Sequence, residues 1–416
     1  MSTIAWIAVG SLAAWGWLLL GQGFFWRTDQ RLPARVDPPV WPRVAVVVPA
    51  RDEAEVLPVS LPSLLTQDYP GPAEIVLVDD GSSDGTGKLA RELADRFTGL
   101  PLTVVSPGEP EPGWTGKLWA LRHGIARARR GCPEPDDPLL GGPPFGDSRA
   151  DGHPAHGGPA YLLLTDADIA HEPDSLRRLV AAAETNGLDL VSQMARLRVA
   201  TVWEQLIVPA FVYFFAQLYP FRWINDPGAR TAAAAGGCVL LRTEAAVRAG
   251  VPEVIRGAVI DDVALARAVQ RSGGRIWLGL AERVDSVRPY PRLGDLWRMV
   301  SRSAYAQLRH SPLLLGGTVL GLCLVYPVPP AALAVGLLTG DGPAAWTGAA
   351  AWAVMAGTYV PMLRYYRQPL WLSVTLPFTA LLYLFMTVDS AVQHYRGRGA
   401  AWKGRTYARP EAAPDR

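Results

Sequence analysis

From Val44 onward the chain alternates short β-branched apolar runs with longer segments of helical period. Val44–Pro49, Glu74–Val78, Leu102–Val105 and Ala160–Leu164 read as strands buried on both faces. Between and after them, Glu53–Thr66, Asp84–Phe97, Gly116–Arg130 and Pro173–Asn186 carry apolar residues at helical spacing, with Asp84 placed as an N-cap. Strands alternating with helices of this length predict βαβ units and an α/β domain over residues 43–310, built on a mainly parallel sheet.

Outside that domain the pattern changes to long apolar runs. No charge occurs from Ile4 to Phe25, which at about 1.5 Å per residue spans a hydrocarbon core of about 30 Å. The run has neither the basic start nor the small-residue cleavage site of a secretory signal, so residues 1–26 read as a retained anchor. Leu313–Leu338, Ala344–Leu363 and Leu370–Val388 predict membrane helices within residues 311–392. Prolines in Tyr326-Pro-Val-Pro-Pro330 make the first of these kinked or re-entrant. Arg27, Arg31, Arg35 and Arg43 follow the anchor and nothing basic precedes it. The positive-inside bias therefore places the large domain on the cytoplasmic face of the cell's inner membrane, in a multi-pass chain. The basic tail, residues 393–416, carries Arg396, Arg398, Lys403, Arg405 and Arg409 and follows the same bias. Three full crossings would put that tail outside, so one of the three is expected to fall short.

Two segments interrupt the α/β pattern. Residues 132–159 are dense in Gly, Pro and Asp and read as a flexible surface insertion. Residues 202–224 are aromatic and apolar, and the uncharged part from Gln205 to Phe221 would be about 25 Å long as a helix. Broken by Pro209 and Pro220, it predicts helices lying at the membrane surface, where Trp and Tyr favour the headgroup level, with an internal core helix as the alternative.

Composition narrows the partners. A net charge of +2 without a basic stripe argues against nucleic acid. Cys132, Cys238 and Cys323 are far apart, which supports neither a zinc site nor a disulfide framework.

The chemistry lies in three acidic clusters, each where an apolar run gives way to a loop: Asp79-Asp80, Asp166-x-Asp168 and Asp261-Asp262. Carboxylates at strand ends converge at one edge of a parallel sheet, where α/β proteins bind ligands. Asp79 or Asp80 could accept hydrogen bonds from a nucleobase or ribose, and equally could shape a turn. Asp166 and Asp168 at i, i+2 can turn toward one divalent cation, Mg²⁺ or Mn²⁺, completed by substrate phosphates. The third pair opens a helix at Val263–Arg271, so capping and proton abstraction both stand as roles for Asp262. Gly113-Trp-Thr-Gly-Lys117 fails as a P-loop, because Glu111 replaces the first glycine and Leu118 the Ser or Thr. Lys117 at a helix start can still contact a phosphate or ribose. No G-x-S-x-G, H-E-x-x-H or strand-borne G-x-G-x-x-G is present, and the six histidines, His153 and His156 among them, form no pattern.

Taken in order, VVVPARDEAEVL, EIVLVDDGSSDGT, GWTGKLWAL, LLLTDADI, AAAGGCVLLR and IDDVALA resemble the family 2 glycosyltransferases, over roughly Arg43 to His310. SRSAYAQLRHSPLLL and RGRGAAWKGR, with the anchor, look like the hopene-associated members of bacterial hopanoid pathways. The chain is more distantly similar to ceramide glucosyltransferases. The resemblance implies a Rossmann-like GT-A fold and inverting, metal-dependent transfer of a sugar from a nucleotide-sugar donor, a UDP-sugar, to a lipid acceptor, a hopanoid among them. Carried onto this chain, it implies that Pro49, Asp52, Asp79, Asp80, Lys117, Asp166 and Asp261 bind the nucleotide-sugar. Asp166 and Asp168 would hold Mg²⁺ or Mn²⁺, Asp262 would be the base, and Arg302 would stabilise the departing diphosphate. The chain departs from the family's Q/R-x-x-R-W motif, reading Met299-Val-Ser-Arg302-Ser303. Rival readings are a sugar nucleotidyltransferase and a catalytically inactive membrane scaffold.

Overall fold

The computed structural model describes residues 1–130, 158–396, 401–402 and 405–406 of the chain. Most of the expected insertion and most of the basic tail lie outside the described residues. After α1 (Thr3–Leu20), the expected alternation runs β1 (Val44–Ala50), α2 (Leu57–Leu65), β2 (Ala73–Asp79), α3 (Thr86–Arg96), β3 (Leu102–Val105), α4 (Gly116–Arg129) and β4 (Tyr161–Thr165). The domain continues with β5 (Ile169–His171), α5 (Ser175–Asn186), β6 (Leu190–Arg196), α6 (Val202–Leu218) and α7 (Phe221–Ile224). It then runs through β7 (Cys238–Arg242), α8 (Thr243–Arg248), α9 (Asp261–Arg271), β8 (Ile276–Ser286) and α10 (Leu293–Gln307).

These strands form one eight-stranded sheet in the order β3-β2-β1-β4-β7-β6-β8-β5. The half read from sequence, β3-β2-β1-β4, is parallel throughout. In the other half β7 runs antiparallel to both neighbours, β6 and β8 pair in parallel, and β5 closes the edge antiparallel to β8. Every residue of β1 and β4 is buried, as their unbroken apolar runs require.

Two helix starts differ from expectation for local reasons. The second helix begins at Leu57, not Glu53, because the preceding segment is held across to the next loop: Glu53 N–H donates to Thr86 Oγ1 at 2.8 Å and Ala54 N–H to Asp84 at 2.9 Å. The N-cap of α3 is Gly85, at φ 85°, rather than Asp84. Asp84 instead accepts from the Thr86 N–H at 3.0 Å, tying two loops together. Burial opposes ionisation there, but the hydrogen bonds from Thr86 and Ala54 outweigh it and lower the carboxyl pKa.

The C-terminal apolar helices are α11 (Pro312–Val325), α12 (Val328–Thr339), α13 (Gly342–Tyr365) and α14 (Leu376–Tyr395). Among the described residues, Thr3–Leu20 and Leu370–Tyr395 are long and apolar enough to cross a membrane. The α11–α12 pair, bent by 45° at its proline break, would add a third crossing if it forms one span. The helix at Ala344–Leu363 exists as α13 but falls short by the same measure. It packs between α1 and α12, with Gly348 close against the backbone of Leu333.

Residues 202–224, expected at the membrane surface, are largely interior. Ile207, Val208, Ala210, Val212 and Tyr213 are fully buried. The Tyr213 hydroxyl bonds Thr358 of α13 at 2.7 Å, and the Tyr383 hydroxyl of α14 donates to the Ile207 carbonyl at 3.0 Å. Phe214 stacks edge-on against Tyr326 and Tyr383. The aromatic side chains thus face the apolar helices rather than headgroups, and one continuous core joins the sheet to the bundle through α6. Of the exposed positions, Val202, Trp203 and Leu218 lie at the ends of the helix.

Candidate active site

Parallel pairing brings the first two acidic clusters to one edge, and the third, expected at a strand end, arrives instead on the first turn of α9. Ala50 lies opposite Asp79, and Val47 opposite Leu164, so β1, β2 and β4 release their loops side by side. At the centre stands Lys117, the second residue of α4. Its Nζ bridges Asp166 Oδ1 at 2.8 Å and Asp261 Oδ2 at 3.0 Å. Burial works against the ammonium charge, but Asp166 and Asp261 overcompensate and hold its pKa well above the usual lysine range. Asp166 is displaced the other way: burial raises its carboxyl pKa despite the lysine beside it.

Asp262 sits behind this bridge, in a narrow recess shared with Gly236, Leu121 and Leu265. Its Oδ2 accepts from the Gly236 N–H at 3.0 Å and its Oδ1 from the Val263 N–H at 2.8 Å. Burial, then the adjacent Asp261 charge, push its pKa up to about 6. Capping and an elevated pKa therefore coexist in one carboxylate.

Asp168 is engaged from the far side of the sheet. Its Oδ2 accepts from Ser286 Oγ at 3.0 Å and from Arg288 Nε at 3.2 Å, while Arg288 also pairs with Glu53. Beneath the Asp166–Asp168 loop lies His171, buried between the Thr165 hydroxyl at 3.0 Å and the Ser175 hydroxyl at 3.2 Å. Thr165 also hydrogen-bonds the Gly237 carbonyl at 2.8 Å, which makes His171 Nε2 the donor in this network. Burial lowers the His171 pKa to about 4, so the ring is neutral.

The first cluster is arranged differently. Asp80 is fully buried, its N–H on the Ala50 carbonyl at 2.9 Å and its carboxylate 3.6 Å from Arg51. Asp79 accepts from the Ser82 N–H at 3.0 Å. Asp52, left-handed at φ 49°, accepts from the Ser83 N–H at 2.8 Å and donates its own N–H to Ser82 Oγ at 3.0 Å. These three residues reach the expected edge but not the lining of the main cleft.

That cleft has a volume of about 780 Å³. Its acidic side is lined by Pro49, Lys117, Asp166, Asp168 and Asp261, and its opposite wall by α10 and α14. Arg302 projects into it from α10, exposed and without an ion-pair partner among the described residues. Asp262 lines the recess rather than the cleft.

Residues 42–306 match the model of the family described as glycosyltransferase like family 2. The chain belongs to glycosyltransferase family 2. It is 33% identical over 88 residues to the probable glycosyltransferase YdaM of Bacillus subtilis, covering 21% of this chain and 20% of that protein. It is 29% identical over 155 residues to the undecaprenyl-phosphate 4-deoxy-4-formamido-L-arabinose transferase of Yersinia enterocolitica, 36% of each chain. The chain thus spans between a fifth and about a third of the length of these curated relatives. Among solved structures, the mannosyltransferase PcManGT from Pyrobaculum calidifontis, in complex with GDP-Man and Mn²⁺, aligns with a TM-score of 0.56 at 20% identity, over 94% of this chain and 99% of that one. The fold is therefore GT-A-like, with apolar helices near both ends. The hopene-associated and ceramide resemblances gain no support from these relatives.

In this family 2 glycosyltransferase the acid pair fits a cation of one kind. The described contacts of Asp166 and Asp168 each use a single carboxylate oxygen, and no cluster of three or more His, Cys, Asp or Glu of metal-holding geometry occurs among the described residues. Such a donor set suits Mg²⁺ or Mn²⁺ completed by substrate phosphates rather than an all-protein cage. Sequence reasoning missed Glu53, Arg288 and His171. Glu53 stood inside a quoted motif, but Arg288 and His171 carry no local signal, since their partners lie far away in the chain.

Proposed function

We propose that the enzyme is a membrane-bound inverting glycosyltransferase that moves a sugar from a nucleotide-sugar, a UDP-sugar by its motifs, to a hydroxyl of a lipid acceptor. One observation carries the reading. Asp262 stands half-buried beside the Lys117 bridge without pairing to it, and its pKa of about 6 keeps it ionised yet basic near neutral pH. Asp261 is already committed to Lys117, which leaves Asp262 to take the proton.

In this mechanism Asp262 takes the proton of the acceptor hydroxyl as that oxygen attacks the anomeric carbon. The bond from that carbon to the diphosphate breaks, and the nucleoside diphosphate leaves with the electron pair. No protein nucleophile takes part, so the configuration inverts. Arg302 and Lys117 offer fixed positive charge to the departing diphosphate. Asp166 and Asp168 would hold Mg²⁺ or Mn²⁺, which when bound neutralises charge on the leaving group. Support for that assignment comes from PcManGT, whose complex contains GDP-Man and Mn²⁺. Asp52, Asp79 and Asp80 shape the loop that receives the nucleoside.

The lipid acceptor is supported by the cleft's wall, since α14 belongs to a stretch apolar enough to cross a membrane, and by the Yersinia relative, whose name pairs its sugar with undecaprenyl phosphate. The arginines after α1 support a cytoplasmic catalytic domain through the positive-inside bias. A hopanoid alcohol is the acceptor suggested by the flanking-segment resemblance.

The test incubates the full chain in detergent with UDP- and GDP-sugars and a bacterial lipid extract, and identifies products by mass spectrometry. A new glycolipid is expected, and chelation by EDTA should abolish it. Transfer undiminished by EDTA would remove Asp166 and Asp168 from metal binding. Transfer to no lipid from any donor would remove the reading itself.

A further inference from the structure

The wall opposite the acids has its own chemistry. At the C-terminal end of α10 the chain turns through Arg309 and His310, both left-handed at φ 52° and 54°, a conformation that side-chain-bearing residues rarely adopt. Tyr305 braces that turn: its hydroxyl donates to the His310 carbonyl at 2.8 Å and bonds the Tyr395 hydroxyl of α14 at 2.9 Å. The result is a pair of stacked imidazoles, His310 and His394, with ring centroids 4.2 Å apart and planes 14° apart. Gln393 and Ser390 line the cleft beside them. None of these cleft residues is a Lys, Arg, Asp or Glu, whereas the rest of the cleft lining holds six carboxylates and four cations.

Location supplies the second observation. His394 ends the apolar stretch Leu370–Tyr395, and His310 stands two residues before α11, which has no buried residue and exposes Leu313 and Leu314. The neutral corner therefore lies where the catalytic cleft meets apolar helix surface. Two imidazoles in face-to-face contact resist joint protonation, and burial together with His394 lowers the His310 pKa. The cleft-lining residues of the corner offer hydrogen-bond donors and acceptors and include no Lys or Arg.

We propose that this α10–α14 corner is the acceptor-headgroup subsite, built by His310, His394, Gln393 and Tyr305, and that it takes an uncharged, hydroxyl-bearing lipid headgroup in preference to a lipid phosphate. The proposal rests on the glycosyltransferase reading and narrows its acceptor. It also agrees with the base: an alcohol must lose a proton to react, whereas a phosphate is already anionic and would approach several carboxylates. In this respect the chain differs from its Yersinia relative, which bears the name of a lipid phosphate.

The experiment uses the full chain in detergent with a triterpenol, a diacylglycerol and a polyprenyl phosphate, each with the donor found above. The expected result is transfer to at least one alcohol and not to the phosphate. His394→Ala and Gln393→Ala should each raise the acceptor KM by about tenfold, the effect of losing a hydrogen bond or two, with the donor KM unchanged. Native mass spectrometry of the chain with each lipid alone reads binding without turnover: retention of an alcohol lipid that both variants weaken is expected. Preference for the polyprenyl phosphate, in transfer or in retention, would overturn the proposal, as would variants with native acceptor KM and native retention. Failure of the glycosyltransferase reading would look different, with no transfer from any donor but alcohol-lipid binding still sensitive to His394.

Discussion

Two groups of aspartates stand at the same edge of the same sheet and meet opposite partners. Asp52, Asp79 and Asp84 accept from backbone N–H groups of Ser82, Ser83, Thr86 and Ala54. Asp166, Asp168 and Asp261 instead pair with Lys117 and Arg288. A carboxylate satisfied by backbone donors spends its charge on the shape of a loop, because those donors cannot leave. One paired with a side-chain cation keeps a position that a substrate or metal can take over when the ammonium or guanidinium swings aside. Residue type is the same in both groups, and the partner is what separates them. Asp262 belongs to both, held by two N–H groups yet made basic by burial and by Asp261.

The comparison is broken most directly at Asp262. Asp262→Asn should lower kcat by about 10²–10⁴-fold, the usual value of a positioned base. Asp261→Asn should cost less, because it removes a partner of Lys117 and leaves the base in place. Native activity should fall as pH drops through about 6, where Asp262 takes up its proton. Transfer assays across pH 5–8 check all three, and a native rate in Asp262→Asn would return that residue to a purely capping role.

The support beneath the chemical group should be pH-sensitive in stability. The His171 pKa is about 4 in the folded chain, below the value of about 6.5 for an exposed imidazole, so the unfolded chain binds more protons between these values. Stability is therefore complete above about pH 6.5 and falls by about 3 kcal/mol as pH drops toward 4. Thermal unfolding in detergent should register the loss, and His171→Asn should flatten the slope. An unchanged slope in that variant would assign the acid sensitivity elsewhere.

The structural group is probed at Gly87, where a Cβ would stand 2.4 Å from Asp79 Oδ2. Gly87→Ala should cost about 1–3 kcal/mol by overpacking and raise the donor KM while leaving the pH profile of kcat unchanged. A shifted profile would mean that the two groups are coupled rather than separate.

Much of this architecture is legible in the chain itself. Val44–Ala50 and Tyr161–Thr165 are unbroken apolar runs, and only strands covered on both faces tolerate them, so the parallel half of the sheet could be read directly. The mixed half could not. β5 is three residues long and exists because Ile169–His171 pairs with Val284–Ser286, more than a hundred positions away. The aromatic stretch at 202–224 left two readings open for a related reason: Trp, Tyr and Phe suit a headgroup layer and a protein interior equally well. Tyr213 and Phe214 found Thr358, Tyr326 and Tyr383 instead.

The order of strands and helices, the placing of acids at strand ends and the apolar character of both ends follow from the sequence alone, because each depends on residues within a turn or two of one another. The charge state and orientation of those acids were decided by tertiary structure. Lys117 reaches Asp261 and Arg288 reaches Glu53 only once α4, α9 and the loop after β8 are packed around one edge. Desolvation and Coulomb interaction depend on distance in space, and chain separation says almost nothing about that distance.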